Sequence, residues 1–138
     1  MQVTTIGLDL AKNILRCCIA GHEPLVLCRS GVDPNVEFFT SSGLALGLDS
    51  GELFNEMLEE EQIDLRKGDL LAFYTDGVTE ALDAEEEEFG RDRFVSVLSS
   101  NLKEDISAIT EKVEDAIHHH VGNRASSDDR TLLLIRTV

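Results

Sequence analysis

Apolar and polar positions follow two regimes along this chain. The first half carries short apolar runs broken by turn residues, and the last third carries apolar residues spaced three and four apart. Residues 3–10 and 14–20 alternate like strands and are joined through Ala11, Lys12 and Asn13, which predicts a hairpin. After the turn Gly21-His22-Glu23-Pro24, Leu25 to Cys28 reads as a short strand. Val36 to Phe39 reads as another, after the Ser30-Gly31 and Asp33-Pro34 turn signals. Leu70, Leu71, Ala72, Phe73 and Tyr74 form an unbroken apolar run, the pattern of a strand buried on both faces, and residues 131–136 form a second.

Helical spacing takes over later. Arg91 to Ser99 places Phe94, Val97 and Leu98 on one face. From about Asp105 to Val121, Ile106, Ile109, Val113, Ile117 and Val121 make a continuous stripe, with Gly122 placed to cap the C-terminus. Strands followed by helices and a closing strand predict an α+β fold, with helices layered on a mainly antiparallel sheet. Leu53, Phe54, Met57, Leu58, Glu61 and Leu65 fit a further helical stripe, and the Glu-rich composition of that stretch favours helix.

Length adds that 138 residues and 15.2 kDa suit one domain with a real core. The net charge of −15 argues against a nucleic-acid backbone or an anionic membrane as partner. Cys17, Cys18 and Cys28 lack metal-ligand spacing, and an odd count suits reduced thiols. Neither a signal peptide nor an 18-residue apolar run is seen, so the expectation is a soluble, cytoplasmic chain. A strand pattern beginning almost at residue 1 is what an excised piece of a larger domain looks like.

Two acidic dipeptides are the candidate chemistry. Asp76-Gly77 follows the first buried strand, and Asp128-Asp129 precedes the last. If those strands pair antiparallel, the end of one and the start of the other share an edge, and Asp76 meets Asp128 and Asp129. Oxygen donors of this kind suit Mg²⁺ or Mn²⁺ over zinc or copper. Each dipeptide taken alone reads more readily as ordinary architecture, Asp76-Gly77 as a turn and Asp128-Asp129 as a solvated loop. His22 reads as a general acid or as a turn-capping ring. Glu59, Glu60 and Glu61 read as a solvated edge, and Asp83 to Glu88 as a mobile acidic loop, a second cation site or a flap for a basic partner. His118, His119 and His120 fan around a helix end and read as surface residues favoured by its negative pole.

The run Tyr74-Thr75-Asp76-Gly77-Val78-Thr79-Glu80-Ala81 resembles the YTDGVTEA signature of SpoIIE/RsbU-type PPM (protein phosphatase 2C-like) metal-dependent serine/threonine phosphatases. Further pieces follow in the order of that family: Ala20-Gly21-His22-Glu23-Pro24, Leu46-Gly47-Leu48, Gly68-Asp69, Phe89-Gly90 and Asp128-Asp129-Arg130-Thr131. Upstream of the first of these the family carries a Gly-Gly-Asp segment with a metal-bridging aspartate, then a helix opening with Gly-His-Gly; neither is within these residues.

The resemblance implies an α-β-β-α sandwich of which residues 1–138 are the C-terminal two-thirds, with N-terminal strands and the first helix missing. It also places a strand from about Met57 to Leu65, pairing with the strand at 70–74. It implies hydrolysis of phosphoserine or phosphothreonine on a protein by two Mn²⁺ or Mg²⁺ ions about 4 Å apart that activate a water. Asp76 and Asp128 would be the catalytic metal ligands, Asp129 a further or water-mediated one, and Gly77 a backbone element of that site. Thr75 or Thr131 would support the ligands. The implied partners are a phosphorylated STAS-domain anti-anti-sigma factor and an upstream sensory domain, with a homodimer left open. Lacking the bridging aspartate, residues 1–138 alone are expected to be inactive. The rival reading is a non-catalytic module of the same fold in a partner-switching system.

Overall fold

The structure, a computed structural model, describes residues 7–11, 14–18, 23–31, 35–40, 59–123 and 129–138. Among them the elements in order are β1 (Gly7–Ala11), β2 (Ile14–Cys18), β3 (Leu25–Cys28), β4 (Val36–Phe39), β5 (Glu61–Asp64), β6 (Leu70–Tyr74), α1 (Asp76–Thr79), α2 (Gly90–Ser100), α3 (Ile106–Val121) and β7 (Leu132–Arg136). The strands make two antiparallel sheets, one in the order β1-β2-β5 and one in the order β4-β3-β6-β7.

Strand β6 owes its central place to its composition. All five of its residues are buried, so it needs apolar neighbours on both faces. Alternation divides them: Leu70, Ala72 and Tyr74 join Val26 and Cys28 under α2 and α3, while Leu71 and Phe73 join Leu25 and Leu27 against the other sheet. The first core is closed by Phe94, Leu98, Ile109, Val113 and Ile117 from the helices. The second is closed by Leu15 of β2 and Ile63 of β5, directly paired across their strands. The described residues thus supply helix, sheet and sheet layers in turn.

The strands expected at Leu25 to Cys28 and Val36 to Phe39 are found with those bounds, and the β1–β2 hairpin pairs Ala11 with Ile14. Both helices appear within a residue of their expected ends; Gly122 follows α3 at φ 61° and donates its N–H to the His118 carbonyl. The strand expected at Met57 to Leu65 needs correction. It spans Glu61–Asp64 and pairs with β2, not with the 70–74 strand. Only Ile63 is buried in it, whereas all four residues of β3, which does pair with β6, are buried. Residues 53–58, where the helical alternative began, lie outside the described residues, as do Leu46, Gly47 and Leu48.

The acidic stretch is better ordered than its charge predicts. The Asp83 carboxylate accepts the N–H groups of Glu85 and Glu87 through Oδ1, at 3.0 and 2.9 Å, and Leu82 bridges Glu88. The aspartate organises a turn that composition alone reads as loose.

Candidate functional site

β6 and β7 run antiparallel, with Tyr74 opposite Leu132. The pairing continues one step further. Thr75 donates its N–H to the Thr131 carbonyl at 3.1 Å, and Thr131 returns its N–H to the Thr75 hydroxyl at 3.0 Å. Asp76 then opens the single turn α1, tied down by Glu80 N–H and the Thr79 hydroxyl, both donating to the Asp76 carbonyl.

Gly77 sets the distance between the two acidic segments. A Cβ on it would lie 2.5 Å from the Asp129 carbonyl oxygen and 3.3 Å from Cγ of Arg130. Glycine is needed here for close approach, not for a left-handed turn, since Gly77 is absent from the positive-φ glycines. The neighbour it admits is this chain's own backbone. Asp76, Gly77 and Asp129 therefore share one rim of the four-stranded sheet. Asp128, His22 and Gly21 lie outside the described residues.

The Asp76 carboxylate accepts the Gly77 N–H at 2.9 Å, and among the described residues no lysine or arginine pairs with it. A second acid at the other end of β6 is held quite differently. Asp69 is fully buried and accepts Arg29 Nη1 at 2.9 Å, the Arg66 N–H at 2.8 Å and the Ser30 N–H at 3.2 Å. Arg29 also grips Glu37, which raises the guanidinium pKa and lowers that of the carboxyl.

Beside Tyr74 the structure shows a cluster that sequence reasoning missed. Arg91, in the first turn of α2, pairs with Glu23 at 3.4 Å and sits over the Phe38 ring, 5.6 Å from its centroid. The Tyr74 hydroxyl is buried close to Arg91 and Glu23, with neither in hydrogen-bonding geometry. Burial pushes its pKa up, and nearby Arg91 partly opposes this. The only hint in the sequence was that Glu23 belongs to the Gly-His-Glu-Pro turn.

Carboxylate and carbonyl oxygens on this rim are hard donors, suited to Mg²⁺ or Mn²⁺. Among the described residues no three His, Cys, Asp or Glu side chains cluster into a ligand set. Of the histidine run, His118 and His119 are exposed, and His120 meets the Glu87 carbonyl at 3.0 Å and the Phe89 ring edge-on.

Comparison with known proteins adds the following. The family model described as stage II sporulation protein E (SpoIIE) matches residues 1–138. Protein IcfG of Synechocystis sp. is 29% identical over 129 residues, which cover 93% of this chain and 19% of IcfG. Among solved structures, the SiaA-PP2C domain of Pseudomonas aeruginosa superposes with a TM-score of 0.69 at 16% identity, over 91% of this chain and 50% of that one. The phosphatase domain of SpoIIE from Bacillus subtilis gives 0.64 at 17% identity, over 97% and 56% respectively. The chain therefore spans about half of these domains and a smaller share of IcfG.

Proposed function

Since the chain belongs to the SpoIIE family, we propose that it forms part of a PP2C-type protein serine/threonine phosphatase domain, with Asp76, Asp128 and Asp129 as its share of a metal site. The observation that carries this reading is the approach of Gly77 to the Asp129 carbonyl, which ties both acidic segments to one rim. Asp76 has a carboxylate with no cation on it among the described residues, the state expected of a group kept for a ligand. Divalent cations held there would supply a hydroxide at neutral pH and neutralise phosphoryl charge. The chain's own part is positional. The Thr75–Thr131 pair fixes the rim, Gly77 keeps its two halves together, and the buried β6 beneath makes it rigid.

The substrate of this reading is a phosphorylated regulatory protein of the STAS anti-anti-sigma type, and the regulator a sensory domain elsewhere in the full-length protein. The rival reading is a non-catalytic module of the same fold that grips a partner. Phosphate release from a phosphoserine protein with Mn²⁺ separates them. The full-length protein is expected to be active and to lose at least about a hundredfold in Asp76→Asn, whereas residues 1–138 alone, without a Gly-Gly-Asp segment, are expected to release none. Activity that survives Asp76→Asn in the full-length protein overturns the reading.

A further inference from the structure

A groove of about 860 Å³ opens on the same rim, between α3 and the start of β7. Its helical wall has a regular origin. Thr110, Val113, Glu114, Ile117 and His118 recur at three and four residues and so line one face of α3. Val113 and Ile117 are buried and form the floor with Val78 and half-buried Leu132. The walls are polar, with Glu114 and Asp115 on the helix facing Asp129 and Arg130 across the gap.

Two features narrow what such a groove accepts. It is continuous with the candidate site, because Asp129 lines it and also touches Gly77, and Val78 directly follows Gly77. Its charge is lopsided: the lining has three carboxylates against one permanent cation, Arg130. Glu114 and Asp115 are exposed, and among the described residues neither forms an ion pair.

We infer that this groove docks the segment flanking the phosphorylated residue of a protein substrate, and that it selects a segment with a lysine or arginine for Glu114 and Asp115 and an apolar side chain for the Val113–Ile117 floor. The inference rests on the phosphatase reading and adds to it a substrate preference. The apolar floor gives a flanking side chain a dry seat, and the acidic wall gives the segment its direction. A substrate acidic on that flank would meet like charge, so the same wall excludes as well as attracts.

The test uses the full-length protein with Mn²⁺ and two phosphoserine peptides, identical except that flanking lysines in one are glutamates in the other. Para-nitrophenyl phosphate, which has no flank, serves as a third substrate. The expected kcat/KM is about three- to tenfold higher for the basic peptide, expressed in KM and fading at about 0.5 M salt. Glu114→Lys with Asp115→Lys is expected to erase or invert that preference, and Glu114→Gln with Asp115→Asn to halve it or more. Equal kcat/KM for both peptides, or a preference that survives the charge reversal, overturns the groove while leaving the phosphatase reading standing. No release from any of the three substrates overturns both.

Discussion

The two ends of β6 carry acids in opposite states. At its start Asp69 is fully buried and takes three donors, with Arg29 locked further by Glu37 and by the Asp64 carbonyl at 2.7 Å. At its end Asp76 is half-buried and takes one backbone N–H. One rim is electrostatically complete, while at the other no lysine or arginine pairs with the Asp76 carboxylate among the described residues. A fold places unpaired charge at a sheet edge at some cost in stability, so under the proposed function the contrast sets a structural acid against a metal-binding one.

Exchanging each carboxylate for its amide breaks this comparison most directly. Asp69→Asn leaves three donors facing one acceptor and an amide, with Arg29 short of a counter-ion, and is expected to cost about 3 kcal/mol in urea unfolding. Asp76→Asn is expected to change stability by less than about 1 kcal/mol while removing phosphatase activity from the full-length protein. If Asp76→Asn proves the more destabilising, the acid at the end of β6 is structural and the contrast fails.

The glycines at the two ends sharpen the same point. Gly77→Ala sets Cβ 2.5 Å from the Asp129 carbonyl oxygen, which is backbone and cannot swing aside. It is expected to cost about 2 kcal/mol and to push apart the two segments of the rim, so that Mn²⁺ no longer raises the melting temperature of the full-length protein. Gly68→Ala meets the Ser30 hydroxyl at 2.7 Å, a side-chain end that can rotate, but imposes φ +88° on an alanine. Its expected cost is about 1 kcal/mol, from backbone strain, with the Mn²⁺ response kept.

Much of this was legible in the chain itself. Five apolar residues in a row announced β6, the Ile109-Val113-Ile117 spacing announced α3, and the order of the acidic dipeptides around two strands anticipated that Asp129 shares a rim with Asp76 and Gly77. Strand partners were less legible. β5 was assigned to β6 on the resemblance alone, and nothing local to Glu61–Asp64 states that it will meet β2 instead. The Arg91–Glu23 pair was hidden for a related reason, as it joins residues 68 apart through packing alone. Gly77 was singled out as a backbone element of the metal site; the structure shows it against a carbonyl of this chain, which no pattern within residues 68–81 could show.

A smaller effect tests the electrostatics of the complete rim. Arg29 holds the Glu37 carboxyl below the usual glutamate range, chiefly through its hydrogen bond. A group with a lowered folded pKa binds fewer protons folded than unfolded. It therefore stabilises the fold above the ordinary glutamate pKa, and that contribution fades as pH falls through the folded value. Glu37→Gln should flatten the loss of stability on the acid side of the usual glutamate range, read from urea midpoints at successive pH. An unchanged acid slope would mean that Glu37 does not belong to the rim's charge balance.

The smallest effect is expected between the two ends of the comparison, at Tyr74, where β6 passes from its satisfied to its unsatisfied end. Its ring packs on Phe94 with centroids 4.6 Å apart, and its hydroxyl is buried beside Arg91 and Glu23 with neither in hydrogen-bonding geometry. A phenol that gains no hydrogen bond on burial loses its hydration for nothing, so Tyr74→Phe keeps the ring contact and removes the desolvated group. The variant is expected to match the parent in urea unfolding within about 0.5 kcal/mol, or to exceed it slightly. A loss above about 1 kcal/mol would show that the hydroxyl is bonded in solution, which would make Arg91 and Glu23 part of the structural support beneath the rim rather than neighbours of it.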